Sequence, residues 1–131
     1  MAKFLVGLDP DADSEPVLQL AIKHARVLDA GIHLVASLPG GDETTAERIE
    51  AVESKLARVE SEVKSAGLPC ESHLLVHGVT AGEDLVAFAR EHGIDEMYVS
   101  VRKKSQMEKI VFGSTARYVI LKAPCPVMTT K

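Results

Sequence analysis

The chain has 131 residues, 46% hydrophobic and 26% charged, enough for the core of one soluble domain spanning 1–131 and too apolar for wholesale disorder. A formal net charge of −4, no Trp, two Tyr and three Phe supply neither the basic field nor the stacking rings of a nucleic-acid binder. The apolar run Phe4–Leu8 is too short for a signal peptide and nothing later approaches a membrane span, so the expected location is the cytoplasm, away from membranes.

Lys3–Leu8 is a nearly continuous apolar run, as expected of a strand covered on both faces, and Asp9-Pro10 ends it. Ser14 offers an N-cap with Pro16 in the first turn. Leu18, Ala21, Ile22, Ala25 and Leu28 then recur at helical spacing until Gly31 closes the helix. Ile32–Leu38 reads as a second strand, followed by the loop Pro39-Gly40-Gly41-Asp42. A long helix is expected from about Glu43 to Ala66. Its stripe Ile49, Val52, Leu56, Val59 and Val63 packs on the domain's own sheet rather than forming a coiled-coil seam, because it is shorter than four heptads and lies between strands. Its outer pairs, Arg58 with Glu62 and Glu60 with Lys64, read as solvated i,i+4 pairs.

Gly67 and Pro69 stop that helix, and Glu71–His77 gives a third strand whose polar start suits an edge. Thr80 and Glu83 have capping-box spacing ahead of a helix that buries Leu85, Val86, Phe88 and Ala89 and ends at Gly93. Tyr98–Val101 reads as the fourth strand. After it come Arg102, Lys103, Lys104 and Ser105, then Lys109, and then Phe112-Gly113-Ser114: a basic loop, a glycine turn and a helix capped by Ser114 that stops before Pro124. A short fifth strand, Val127–Thr130, carries no charge before Lys131. This alternation argues for an α/β fold, a parallel sheet with helices on both faces.

Gly113-Ser114 and Ala123-Pro124-Cys125-Pro126-Val127 resemble the C-terminal signature of the universal stress protein family. In its nucleotide-binding members that signature reads Gly, two residues, Gly, nine residues, then Gly with Ser or Thr. Counting back from Gly113, the two earlier glycine positions hold Ser100 and Lys103. The resemblance implies a five-stranded sheet in the order 3-2-1-4-5. An adenine nucleotide, ATP or a relative, would then lie where strands one and four diverge, the kind of switch point at which open α/β sheets bind ligands. It also implies a homodimer through Val127, Met128 and Thr129 of the last strand. The nucleotide positions it points to are Gly7, Asp9 and Ala36, then Val99, Ser100, Arg102 and Lys103, then Gly113, Ser114 and Thr115. In that strand order Cys70 and Cys125 begin opposite edge strands, roughly 19 Å apart at about 4.8 Å per strand step, and are expected to be free thiols.

Each position also has a plainer reading. Asp9 can be an Asx-type turn residue, Gly113-Ser114 a loop glycine and a helix cap, and the basic run a solvated loop. The histidines give no metal site by spacing: His73 and His77 share a strand face at about 13 Å, and His24, His33 and His92 have no second ligand nearby in sequence. No Gly-x-Ser-x-Gly elbow or motor-type phosphate loop occurs, and no general base can be assigned. The resemblance implies a non-enzymatic regulatory module that binds an adenine nucleotide. The alternatives are a family member without nucleotide that acts through contacts with an unidentified protein partner, and a slow ATPase.

Overall fold

The computed structural model describes residues 1–104, 109–111 and 113–130, and in 102–104 and 109–111 the backbone alone. Ser105, Phe112 and Lys131 fall outside the described residues. The elements in chain order are β1 (Ala2–Gly7), α1 (Glu15–Leu28), β2 (Ala30–Ser37), α2 (Ala46–Ser65), β3 (Cys70–Leu75) and α3 (Ala81–Glu91). There follow β4 (Glu96–Tyr98), β5 (Arg102–Lys104), β6 (Lys109–Val111), α4 (Ser114–Lys122) and β7 (Val127–Met128).

Five strands form one parallel sheet in the order β3-β2-β1-β4-β7, the expected 3-2-1-4-5 order. Alternation along the central strands divides the core in two. Phe4, Val6, Leu8, Ile32 and Leu34 pack with Val17, Leu18 and Ala21 of α1 and Val52, Leu56, Val59 and Val63 of α2. Leu5 and Val35 face the other way, with Leu85, Val86 and Phe88 of α3 and Ala116 and Val119 of α4. Each buried Val, Leu, Ile or Phe side chain among them is worth about 1.5–3 kcal/mol relative to exposure, which is why β1 reads as an unbroken apolar run. The α2 stripe is satisfied within its own chain, as expected.

The helix ends follow local chemistry, with small shifts. Thr80 and Glu83 form the capping box: the Thr80 hydroxyl accepts from Glu83 N–H at 3.2 Å and Thr80 N–H donates to Glu83 Oε1 at 3.3 Å. α2 begins at Ala46 rather than about Glu43, because Thr45 caps it by accepting from Arg48 N–H at 3.1 Å. The preceding chain turns through Gly40 and Gly41, both near φ +80°, a region that side chains disfavour. α1 ends before Gly31: Asp29 takes the left-handed cap at φ 53°, and Gly31 lies inside β2. Asp tolerates that conformation better than most residues.

Two differences concern the C-terminal stretch. The fourth strand begins earlier than Tyr98, because Phe4, Leu5 and Val6 of β1 pair with Glu96, Met97 and Tyr98. The stretch expected to be a basic loop contributes a two-stranded antiparallel ladder, with Arg102, Lys103 and Lys104 opposite Val111, Ile110 and Lys109. β-branched Ile110 and Val111 suit a strand, and the run of charge hid that signal. α4 stops at Lys122, before Pro124, and among the described residues β7 pairs only with β4, at the edge of the sheet. Cys70 and Cys125 are free and lie at opposite edges.

Candidate functional site

β1 pairs with β2 on one side and β4 on the other, so the loops after these strands part and leave a crevice beyond their carboxyl ends. Its volume is about 220 Å³, and its walls include Gly7, Asp9, Ser37, Arg48, Ser100 and Thr115. Val35, Leu85 and Val99 give it an apolar floor. Gly7 keeps that floor open, since a Cβ there would stand 3.2 Å from Leu85 Cδ1 and 3.5 Å from Val99 Cγ1.

Asp9 accepts from Asp11 N–H at 2.9 Å, which is the Asx-type turn, and its own N–H donates to Ser14 Oγ at 3.2 Å. Ser14 is thus at the N-cap of α1 but turns its hydroxyl to Asp9 instead of the helix. The loop is also anchored to α2. Lys55 Nζ donates to the Asp9 and Ala12 carbonyls at 3.0 and 3.2 Å, and Arg48 Nη2 grips the Asp11 carboxylate at 2.8 and 2.9 Å. The side chain and backbone of Asp9 are therefore held at the crevice mouth before any ligand arrives.

On the opposite wall, the Ser100 hydroxyl is buried and has no hydrogen-bond partner among the described residues. A buried donor without a partner costs about 1–3 kcal/mol, and a polar ligand atom in the crevice would remove that cost. Thr115, in the first turn of α4, brings the helix N-terminus to the site. The N-cap itself is Gly113, not Ser114: Gly113 C=O accepts the first helical bond from Arg117 N–H at 3.0 Å, and exposed Ser114 is the first helical residue.

Of the positions picked from sequence, Gly7, Asp9, Val99, Ser100 and Thr115 line the crevice together. Ala36 does not; it is buried in the core on the α1 and α2 face, and its neighbours Val35 and Ser37 take the wall. Period-two alternation makes a one-residue misalignment change faces. Arg102 and Lys103 lie in β5, and their side chains fall outside the described residues.

The sequence reading missed Ser37, Asp84 and Arg48. Ser37 Oγ donates to Asp84 Oδ2 at 2.6 Å, and Asp84 Oδ1 lies 2.8 Å from His77 Nδ1. Asp84 is only 3% exposed. A carboxylate amid the apolar face Leu85, Val86, Phe88 was the available signal. In this chain the carboxylate sits between serine and imidazole, so the imidazole is not placed to take the serine proton, unlike a hydrolase triad.

The histidines also need correction. Spacing along the chain gave His33 no second ligand, yet parallel pairing of β2 with β3 brings His33 Nδ1 to 3.2 Å from His73 Nε2. That proximity is between strands and leaves no trace in sequence spacing.

A family model for the universal stress protein family matches residues 1–131. The chain belongs to the universal stress protein family. A universal stress protein from Mycolicibacterium smegmatis is 27% identical over 127 residues, 97% of this chain and 95% of its own. The fold is shared with a solved universal stress protein from Archaeoglobus fulgidus at 37% identity and TM-score 0.90, covering 100% of this chain and 99% of that one. A universal stress protein from Archaeoglobus fulgidus solved in complex with dAMP is 35% identical, with TM-score 0.85, over 100% of this chain and 98% of that chain. Among the described residues of this universal stress protein, no helix is long and apolar enough to cross a membrane.

Proposed function

We propose that this universal stress protein is a cytoplasmic, homodimeric regulatory module that binds an adenine nucleotide in the crevice between β1 and β4. The observation that carries the reading is the crevice itself: an apolar floor, a fixed Asp9 and a buried Ser100 hydroxyl with no partner among the described residues. The dAMP complex of the 35% identical relative supports the choice of ligand.

At about 220 Å³ the crevice is smaller than the about 300–1,000 Å³ of drug-sized sites. It suits a base with its ribose, leaving phosphates outside toward Thr115 and the α4 N-terminus. There Gly113, Ser114 and Thr115 offer N–H groups at the positive end of the helix. Ser100 and Lys103 replace two glycines that would let backbone approach phosphate, so Arg102 and Lys103 take over as charged partners. ATP and ADP then bind more tightly than AMP or adenosine, and added salt weakens them. The proposed function is binding rather than turnover: among the described residues the carboxylates lining the crevice, Asp9 and Asp11, are held within the loop after β1.

Calorimetry with ATP, ADP, AMP and adenosine at two salt concentrations tests this. Asp9→Ala and Ser100→Val should each weaken all four ligands, whereas Lys103→Gly should weaken ATP and ADP chiefly at low salt and so reduce the salt dependence. A folded protein that binds none of them at millimolar concentration overturns the nucleotide reading and leaves a module acting through protein contacts.

A further inference from the structure

Away from the crevice, on the sheet face covered by α3, the parallel β2–β3 register sets His33 beside Glu71 and Val35 beside His73. His33 Nδ1 and His73 Nε2 are 3.2 Å apart, and Glu71 Oε2 is 3.5 Å from the first and 3.7 Å from the second. The rings are stacked at an interplanar angle of 23°. Along β2 this group is about 13 Å from Ser37, four residues at about 3.3 Å each, so it is not part of the nucleotide crevice.

We propose that His33, Glu71 and His73 form a binding site for a Zn²⁺-like divalent transition-metal ion. A tetrahedral Zn²⁺ with bonds of about 2.0–2.1 Å holds its ligand atoms about 3.3–3.4 Å apart, close to all three separations found here. Two imidazoles and one carboxylate suit zinc, copper or nickel rather than calcium or magnesium.

The surroundings fit the same chemistry. Two ring nitrogens facing each other can share only one proton, so without an ion one hydrogen bond is the most they make, and the Glu71 oxygen is too far for a good bond to either. His33 is 16% and His73 27% exposed at the side chain while Glu71 is 70% exposed, giving a seated pair of nitrogens with an open entry on the carboxylate side.

His92, the C-cap of α3, stands at the rim, its ring centroid 6.5 Å from that of His33 and 6.1 Å from that of His73. Its Nδ1 is 3.0 Å from the Phe88 carbonyl, which can only accept, so Nδ1 carries a proton and is turned away from the site. Water fills the fourth position, as in zinc sites with three protein ligands. An ion here ties β3, one of the two edge strands of the sheet, to β2.

The test uses the full chain without an affinity tag, stripped with chelator, and titrated with ZnCl₂ in a calorimeter near neutral pH. One equivalent per chain should bind at about micromolar or lower concentration, with a rise in Tm. His33→Gln and His73→Gln should each weaken binding by more than the about 10–100-fold typical of losing a supporting residue. His24→Gln, whose imidazole contacts the Tyr98 hydroxyl instead, should bind as the parent does. Co²⁺ added to the parent protein locates the ion without any variant, since its paramagnetism should displace the ring resonances of His33 and His73 and spare His24 and His77. No uptake at millimolar Zn²⁺, unchanged affinity in both glutamine variants, or displaced resonances at His24 or His77 alone would overturn the proposal and leave a hydrogen-bonded imidazole pair.

Discussion

The Ser37 hydroxyl donates a 2.6 Å hydrogen bond to Asp84, whose second carboxylate oxygen lies 2.8 Å from His77 Nδ1. Through this buried carboxylate the wall of the crevice is fastened to the first turn of α3 and to the chain after β3. Asp84→Ala leaves the Ser37 hydroxyl without its acceptor and is expected to cost about 1–3 kcal/mol, read from urea unfolding. Asp84→Asn keeps an acceptor for Ser37 and should cost less. Equal losses in the two variants would show that the hydroxyl contact is not what matters.

Gly82 and Tyr118 set the spacing of α3 and α4. A Cβ on Gly82 would stand 2.8 Å from Tyr118 Cβ, closer than real contacts allow. Gly82→Ala should therefore cost about 1–3 kcal/mol by overpacking, although alanine is the better helix former. Tyr118→Gly removes that Cβ along with the ring, so adding it to Gly82→Ala should cost less than the two single losses together. Simple additivity in that double-mutant cycle would contradict the contact.

Alkaline pH should destabilise the protein. Burial pushes the Cys70 thiol up to about 12, and burial together with the Glu96 carboxylate raises Tyr98. Both groups hold their protons more tightly when folded, so their contribution is full below the unfolded values, about 8.5 for Cys and 10 for Tyr. It is lost as pH rises from there through the folded values. Cys70→Ala should flatten the fall in stability between about pH 8.5 and 10. The native Cys70 thiol should also react slowly with a disulfide reagent at pH 8, and rapid native labelling would count against its burial.

The free edge of β7 should pair with its copy. Among the described residues Val127 and Met128 pair only with β4, and both are half-buried in the isolated chain. Unpaired edges invite another strand, and a two-fold pairing removes them. Light scattering is expected to give a dimer at micromolar concentration and a monomer for Val127→Lys. A dimer indifferent to that change would place the interface elsewhere.

The order of strands and helices, the capping box at Thr80 and the stop before Pro124 were legible in sequence because each depends on residues within a few positions of one another. Unbroken apolar runs in β1 and β2 likewise announced burial on both faces. Sequence also marked Gly7, Asp9, Val99, Ser100 and Thr115, but it could not resolve whether Ala36 or Ser37 met the crevice, since a shift of one residue reverses the face. The ladder of β5 with β6, the Ser37–Asp84–His77 chain and the group His33, Glu71 and His73 were decided only in three dimensions. Ser37 and Asp84 are 47 positions apart and His33 and His73 are 40. The parallel register of β2 with β3 and the packing of α3 on the sheet bring them within hydrogen-bond range, and no local pattern in the chain encodes a contact made across strands.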